Sequence, residues 1–206
     1  MAVTFNEIPS NVRVPGAYAE IEASQAERGA TPFPLRGLIL AQQNPSGSFA
    51  GTLAVHTPTR ITSAAEASEY AGAGSPASRM AAAWFAVNQR TELYLCLVAE
   101  TGTDATKTVT FSGTSAGGTM AFYLGGDRYN VDATGANATI ASNLADAITA
   151  NPEAPMTASA SSSTVTLTAK SGGVHGEEID VRHSHLAGER LPNGLTVTIT
   201  DGTAAT

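Results

Sequence analysis

Residues 63–98 read SAAEASEYAGAGSPASRMAAAWFAVNQRTELYLCLV, and the punctuation of this stretch decides the fold. Ser63-Ala64-Ala65-Glu66 has the form of a capping box, in which a hydroxyl and a carboxylate satisfy orphan backbone donors at a helix start. The helix that begins there is expected to run to Ala71 and stop at Gly72, a natural left-handed terminator. Ser75 then caps a second helix with Pro76 at its first position, where a missing N–H costs nothing. Met80, Ala83, Trp84 and Val87 follow at helical spacing and are expected to form its buried stripe. After Asn88, Glu92 to Val98 is an almost unbroken apolar run, the mark of a strand covered on both faces. Leu35 to Ala41 is a second run of that kind, followed by a polar loop and Ile61. Two such strands joined by helices predict a parallel pair in an α/β layer, with a right-handed crossover.

Outward from this unit the composition changes twice. Residues 101–106 are polar and Gly/Thr-rich, and read as a hinge. Beyond them Val109 and Phe111 alternate with threonines, as do Met120, Phe122 and Leu124 with Thr119, Ala121 and Tyr123. Gly125-Gly126 offers a tight hairpin into Tyr129 and Val131. One helix follows, with Ile140, Leu144, Ala147 and Ile148 on one face and Asn151-Pro152 at its close. Val165–Leu167, Ile179–Val181 and Leu195–Ile199 read as further strands. This region is expected to be α+β, a small antiparallel sheet covered on one face by one helix. On the other side, residues 1–34 carry Pro9, Pro15, Pro32 and Pro34, which disfavour a helix, yet Val12, Val14, Tyr18 and Ile21 are too apolar for a freely solvated tail. They read as an extended arm that needs a partner surface. The expected division is an arm at 1–34, an α/β portion at 35–100 and an α+β domain at 101–206.

Composition narrows the function. Of 206 residues, 42% are apolar and 14% charged, and the formal net charge is −7. An acidic chain gains nothing from counterion release on DNA or RNA, so direct nucleic-acid binding is not expected. The lone Cys96 can neither close an internal disulfide nor pair in a Cys-based zinc site, and is read as a buried, inert thiol. Met1 to Ser10 lacks a signal-peptide pattern, and no stretch approaches the roughly 20 apolar residues that span a bilayer, so a cytoplasm-like compartment and no membrane insertion are expected.

The metal-like cluster is His183 and His185, on one face if the strand from Ile179 continues, with His175, Glu177 and Glu178 nearby. No third ligand has a diagnostic spacing. Gly72-Ala73-Gly74-Ser75 precedes a helix but follows another helix, and lacks the lysine of a phosphate loop. There is no Gly-x-Ser-x-Gly elbow, and Trp84 and Phe85 read as core rather than as a stacking platform. Nothing here points to an enzyme, a metal or a cofactor.

Phe5-Asn6-Glu7-Ile8-Pro9-Ser10-Asn11-Val12-Arg13-Val14-Pro15-Gly16-Ala17-Tyr18 resembles the opening arm of the tail sheath proteins of Mu-like contractile-tailed phages. Ser63 to Ala67, followed by Ala73 to Met80, is similar to the sheath pattern of a short helix, a Gly-Ser turn and an Ala-rich helix, and Thr108 to Val181 looks like the Thr/Gly/Ala-rich domain inserted into such sheaths. The resemblance implies a homo-oligomeric virion subunit, assembled in the host cytoplasm as six-fold rings or a helix around a tail tube protein. Baseplate and tail terminator proteins would bound that cylinder. Its contraction would drive the tube through the host envelope. Ile8, Val12, Arg13, Val14, Tyr18 and Ile21 would form the subunit-linking arm. Members of that family are longer, and their shared C-terminal domain contributes a partner sheet, so the α/β portion would be incomplete within these residues.

Two other readings compete. A β-rich surface module that binds carbohydrate or protein would expose an aromatic cluster around Tyr123 and Tyr129. An α/β enzyme would have a deep pocket near Ala41 and Glu100, at the strand C-terminal ends.

Overall fold

The computed structural model describes residues 34–45, 47–99 and 102–204, together with Gly16. The six proposed arm residues, Ile8, Val12, Arg13, Val14, Tyr18 and Ile21, lie outside the described residues. The described part is mixed α and β, with three helices and three sheets in which antiparallel pairing predominates.

The first sheet is built from β1 (Arg36–Gln42), β2 (Thr59–Ile61) and β3 (Glu92–Val98) in the order β1-β3-β2. β1 and β3 are parallel, in register from Arg36 opposite Glu92 to Gln42 opposite Val98, as the two apolar runs predicted. β2 adds an antiparallel edge that the single apolar Ile61 did not disclose. The connection carries α1 (Ala64–Ala71) and α2 (Pro76–Val87). Ser63 Oγ accepts from the Glu66 N–H, and Ser75 Oγ accepts from the Ser78 N–H, so both caps form where the sequence placed them. The Glu66 carboxylate, however, accepts from the Thr62 N–H and hydroxyl, one residue further back than the usual reciprocal partner.

Two expectations about this unit are corrected. The helix buries Ala77, Ser78 and Ala81, with Trp84 and Phe85 half-buried, whereas Met80, Ala83 and Val87 face outward. Small side chains let the helix lie close to the sheet; a Cβ on Gly37 would sit 2.9 Å from the Trp84 ring, so that ring takes the space a side chain would fill. Nor are the strands covered on both faces. Ile39, Leu93, Leu95 and Leu97 are buried under the helices, but Leu38 and Leu40 are each 62% exposed on the other face.

Residues 102–204 carry the other two sheets and a second, separate apolar core. Their strands are β4 (Thr106–Gly113), β5 (Thr119–Leu124), β6 (Asp127–Asp132), β7 (Met156–Ser161), β8 (Thr164–Ala169), β9 (Val181–His183) and β10 (Leu195–Asp201). Helix α3 (Asn137–Thr149) lies between β6 and β7 in sequence. In place of one small sheet there are two, β10-β4-β8-β7 and β6-β5-β9. Phe111, Phe122, Leu144, Ile148, Met156 and Leu167 all enter their common core, so the sheets close on each other and on α3. Gly125 and Gly126, at φ 57° and 91°, make the predicted two-residue hairpin between β5 and β6. The supposed hinge is tied down along its second half: Ala105 is buried, the Thr103 carbonyl accepts from the Gly173 N–H, and the Ala105 carbonyl from the Ala169 N–H.

Gly72 ends α1 at φ 88° and ψ 135°, outside the left-handed helical well the sequence suggested, and a Cβ there would lie 2.1 Å from the Phe49 carbonyl oxygen. Gly72→Ala is therefore expected to cost about 2 kcal/mol or more in urea unfolding of the chain, combining backbone strain with a clash against main chain.

Candidate assembly surfaces

The open face of the first sheet presents Leu38 beside Tyr94 and Leu40 beside Cys96, framed at one end by Arg36, Arg60 and Glu92. Glu92 ion-pairs with Arg36 at 3.3 Å and Arg60 at 3.4 Å, and the Arg36 guanidinium lies 5.8 Å from the Tyr94 ring centroid. Cys96, expected to be buried and inert, is only partly buried on this apolar face, because odd and even positions of β3 point to opposite sides. Among the described residues β1 is also an edge strand, bonded to β3 alone. An apolar patch on the order of a few hundred Å², beside a strand edge that no described residue pairs with, is a surface suited to being covered.

A second surface joins the two cores, and it is polar. Glu153 accepts from Ser68 Oγ, from Ser78 Oγ at 2.8 Å and from the Gly74 N–H at 3.1 Å, all in the first unit. Arg79 returns the contact, donating to Asp127 at 2.7 Å, to the Glu153 carbonyl at 3.0 Å and to the Gly125 carbonyl at 2.8 Å. Lys170 donates to the Pro152 carbonyl at 2.6 Å and sits 3.8 Å over the Phe49 ring. Burial pushes the Glu153 carboxyl up, but the three hydrogen bonds outweigh it and hold the group below its ordinary value. Burial lowers the Lys170 ammonium to about 8, against the pull of Glu153.

A cavity of about 420 Å³ opens at this seam, lined by Pro76, Arg79, Met80, Pro155, His175 and Ile179 among others. Its Arg79 is already paired as above, and His175 Nε2 is 2.9 Å from Ser171 Oγ, which ties the turn at Val174–Gly176 to the end of β8.

The metal-like histidines are not brought together. β9 ends at His183 and starts at Val181, later than Ile179, and Ser184 at φ 42° breaks the alternation that would have put His185 on the same face. His185 instead stands edge-on to the Tyr123 ring at 4.4 Å. His183 is half-buried; desolvation lowers its pKa despite a hydrogen bond with the backbone of Val197. Among the described residues no group of three or more His, Cys, Asp or Glu side chains could hold a metal ion. Tyr123 and Tyr129 are each only 7% exposed, so they form no surface platform. Tyr123 OH instead bonds Glu189, and Tyr129 OH accepts from Asn151. No helix among the described residues is long and apolar enough to cross a membrane.

Among the described residues, then, the apolar face that carries Leu38 and Leu40 is the most prominent exposed feature of the first sheet. The chain is 32% identical, over 98% of its length, to the Mu-like prophage FluMu tail sheath protein of Haemophilus influenzae. It spans 42% of the length of that relative. No family model matches the chain.

At neutral pH, Glu153→Gln is expected to cost about 1–3 kcal/mol by thermal or urea unfolding, the usual worth of hydrogen bonds to a charged group. Because the folded carboxyl titrates below its ordinary 4.5, the contribution is present above that pH and is lost as pH falls through the folded value; the Gln variant should lack that loss. Lys170 acts with the same sign in an alkaline window. The folded state sheds this proton near 8 and the unfolded state near 10.5, so the unmodified chain should gain stability relative to Lys170→Met across that window.

Proposed function

We propose that this chain is part of the structural subunit of a contractile phage tail sheath, which polymerises around a tail tube and contracts to drive it through a host envelope. The similarity over nearly the whole chain to a tail sheath protein carries this reading. In it, residues 1–34 are the extended arm that links subunits, residues 35–100 belong to the sheath core, and residues 101–206 are an inserted outer domain. Ile8, Val12, Arg13, Val14, Tyr18 and Ile21 supply the apolar and basic contacts of the arm. The open face around Leu38 and Leu40 supports the view that the core portion is completed by further polypeptide of the longer protein. Subunits stack as six-fold rings or a helix, bounded by baseplate and terminator proteins, in a virion tail assembled in the host cytoplasm. Contraction is then rigid-body rearrangement about the arms, with no catalytic step and no cofactor. The burial of Tyr123 and Tyr129 removes the feature that a carbohydrate-binding module would have used.

Negative-stain electron microscopy of the full-length protein, with and without residues 1–20, tests the reading. Hollow tubes that disappear on truncation are expected. Uniform small particles from both samples would contradict it.

A further inference from the structure

The outward face of β10-β4-β8-β7 is made of hydroxyls. β4, β8 and β10 each read Thr-x-Thr-x-Thr at their outward positions, from Thr106, Thr164 and Thr196 respectively, and β7 contributes Thr157, Ser159 and Ser161. Antiparallel register aligns them across the sheet, one row running Thr200, Thr108, Thr166, Ser159. Threonine suits a half-solvated strand, which accounts for its frequency here. It does not account for the absence of every charged side chain from the rows. The neighbouring sheet, in the same block, exposes Arg128, Asp132 and Arg182. The first sheet exposes Arg36 and Arg60. A solvent-facing surface ordinarily carries charges of both signs, interspersed.

We propose that this hydroxyl face is a contact surface between copies of the chain. The inference rests on the sheath reading and adds to it the place where outer blocks of neighbouring subunits meet. These 206 residues carry a net charge of −7, so copies repel one another wherever their carboxylates face. A face without charge can approach a neighbour with no like-charge repulsion and no ion to desolvate. Thr106 Oγ1 already accepts from the Thr203 N–H and Thr157 Oγ1 donates to the Thr168 carbonyl, but the other threonines of the rows offer a methyl group and a hydroxyl that both donates and accepts, so the face accommodates a mate of varied polarity. Four strands about 4.8 Å apart and six residues long give a footprint of roughly 400 Å². That is about half of what one partner contributes to a stable free-standing complex. The contact is thus too small to hold an isolated pair, and acts where an array already holds many copies together. Such a contact can break and re-form as subunits shift.

The test introduces charge at the face of the full-length protein. In Thr166→Glu/Thr198→Glu the two carboxylates lie on strands that are not neighbours, so they do not oppose each other directly. Ala138→Glu/Ser142→Glu adds the same charge to exposed positions of α3 as a control. Thr166→Val/Thr198→Val keeps the face uncharged. The expected result is that the face Glu variant, with an unchanged melting temperature, needs about tenfold more protein to form tubes and partly recovers in high salt, while the control and the Val variant assemble normally. Normal assembly of the face Glu variant overturns the inference, as does equal loss in the control. If that variant assembles normally but loses capture on an insoluble glycan, the face is a carbohydrate surface instead. Failure of the unmodified protein to form tubes would sink the sheath reading itself, a result distinct from either.

Discussion

Parallel pairing of β1 with β3 is the constraint from which the rest of the first unit follows. Parallel strands cannot be joined by a tight turn, so the chain between them must cross over, and here it does so through two short helices. Those helices cover one face only. Alanine and serine on α2 bring its backbone close to the sheet, and Gly37 leaves room for Trp84. The other face keeps Leu38, Leu40 and Cys96 without a cover among the described residues. In a small unit this is a large apolar area to leave in water, and it is the strongest physical sign that the unit works as part of something larger.

The two cores are joined differently. Their seam is held by Glu153, Arg79, Asp127 and Lys170 rather than by packed apolar side chains. Polar seams depend on geometry: satisfied groups fix one orientation, and a lost partner leaves a half-buried charge or hydroxyl without compensation. The arrangement keeps residues 102–204 in a defined attitude while leaving their core independent of the first one. In the proposed sheath such a block would move with its subunit as a rigid body.

Much of this was legible in the residues. Ser63, Ser75 and Pro76 mark helix starts through local hydrogen bonding, and Gly125-Gly126 marks a hairpin through backbone freedom; neither needs tertiary context. The inward face of α3 was legible because Ile140, Leu144 and Ile148 contrast with polar neighbours. The face of α2 was not, because its alanines carry no contrast and the larger Met80 and Val87 dominated the pattern while close packing selected small residues. β7 was missed because its alternation of Ala and Ser lacks branched side chains. The open sheet face was hidden for a related reason: a continuous apolar run says that both faces are apolar, not that both are covered. The seam could not be read at all, since Glu153 meets Ser68, Gly74 and Ser78 across 75 to 85 residues of chain.

Cys96 provides the most direct measurement of the central claim, that the open face is covered in the working protein. It is the single cysteine of these 206 residues and stands at the centre of that face. Thiol labelling, followed by quantification of the Cys96 peptide, can be run on the 206-residue chain and on the full-length protein under the same native conditions. The account predicts ready labelling in the isolated chain and strong protection in the full-length protein. Equal labelling of the two would show that the face stays open, and would contradict it.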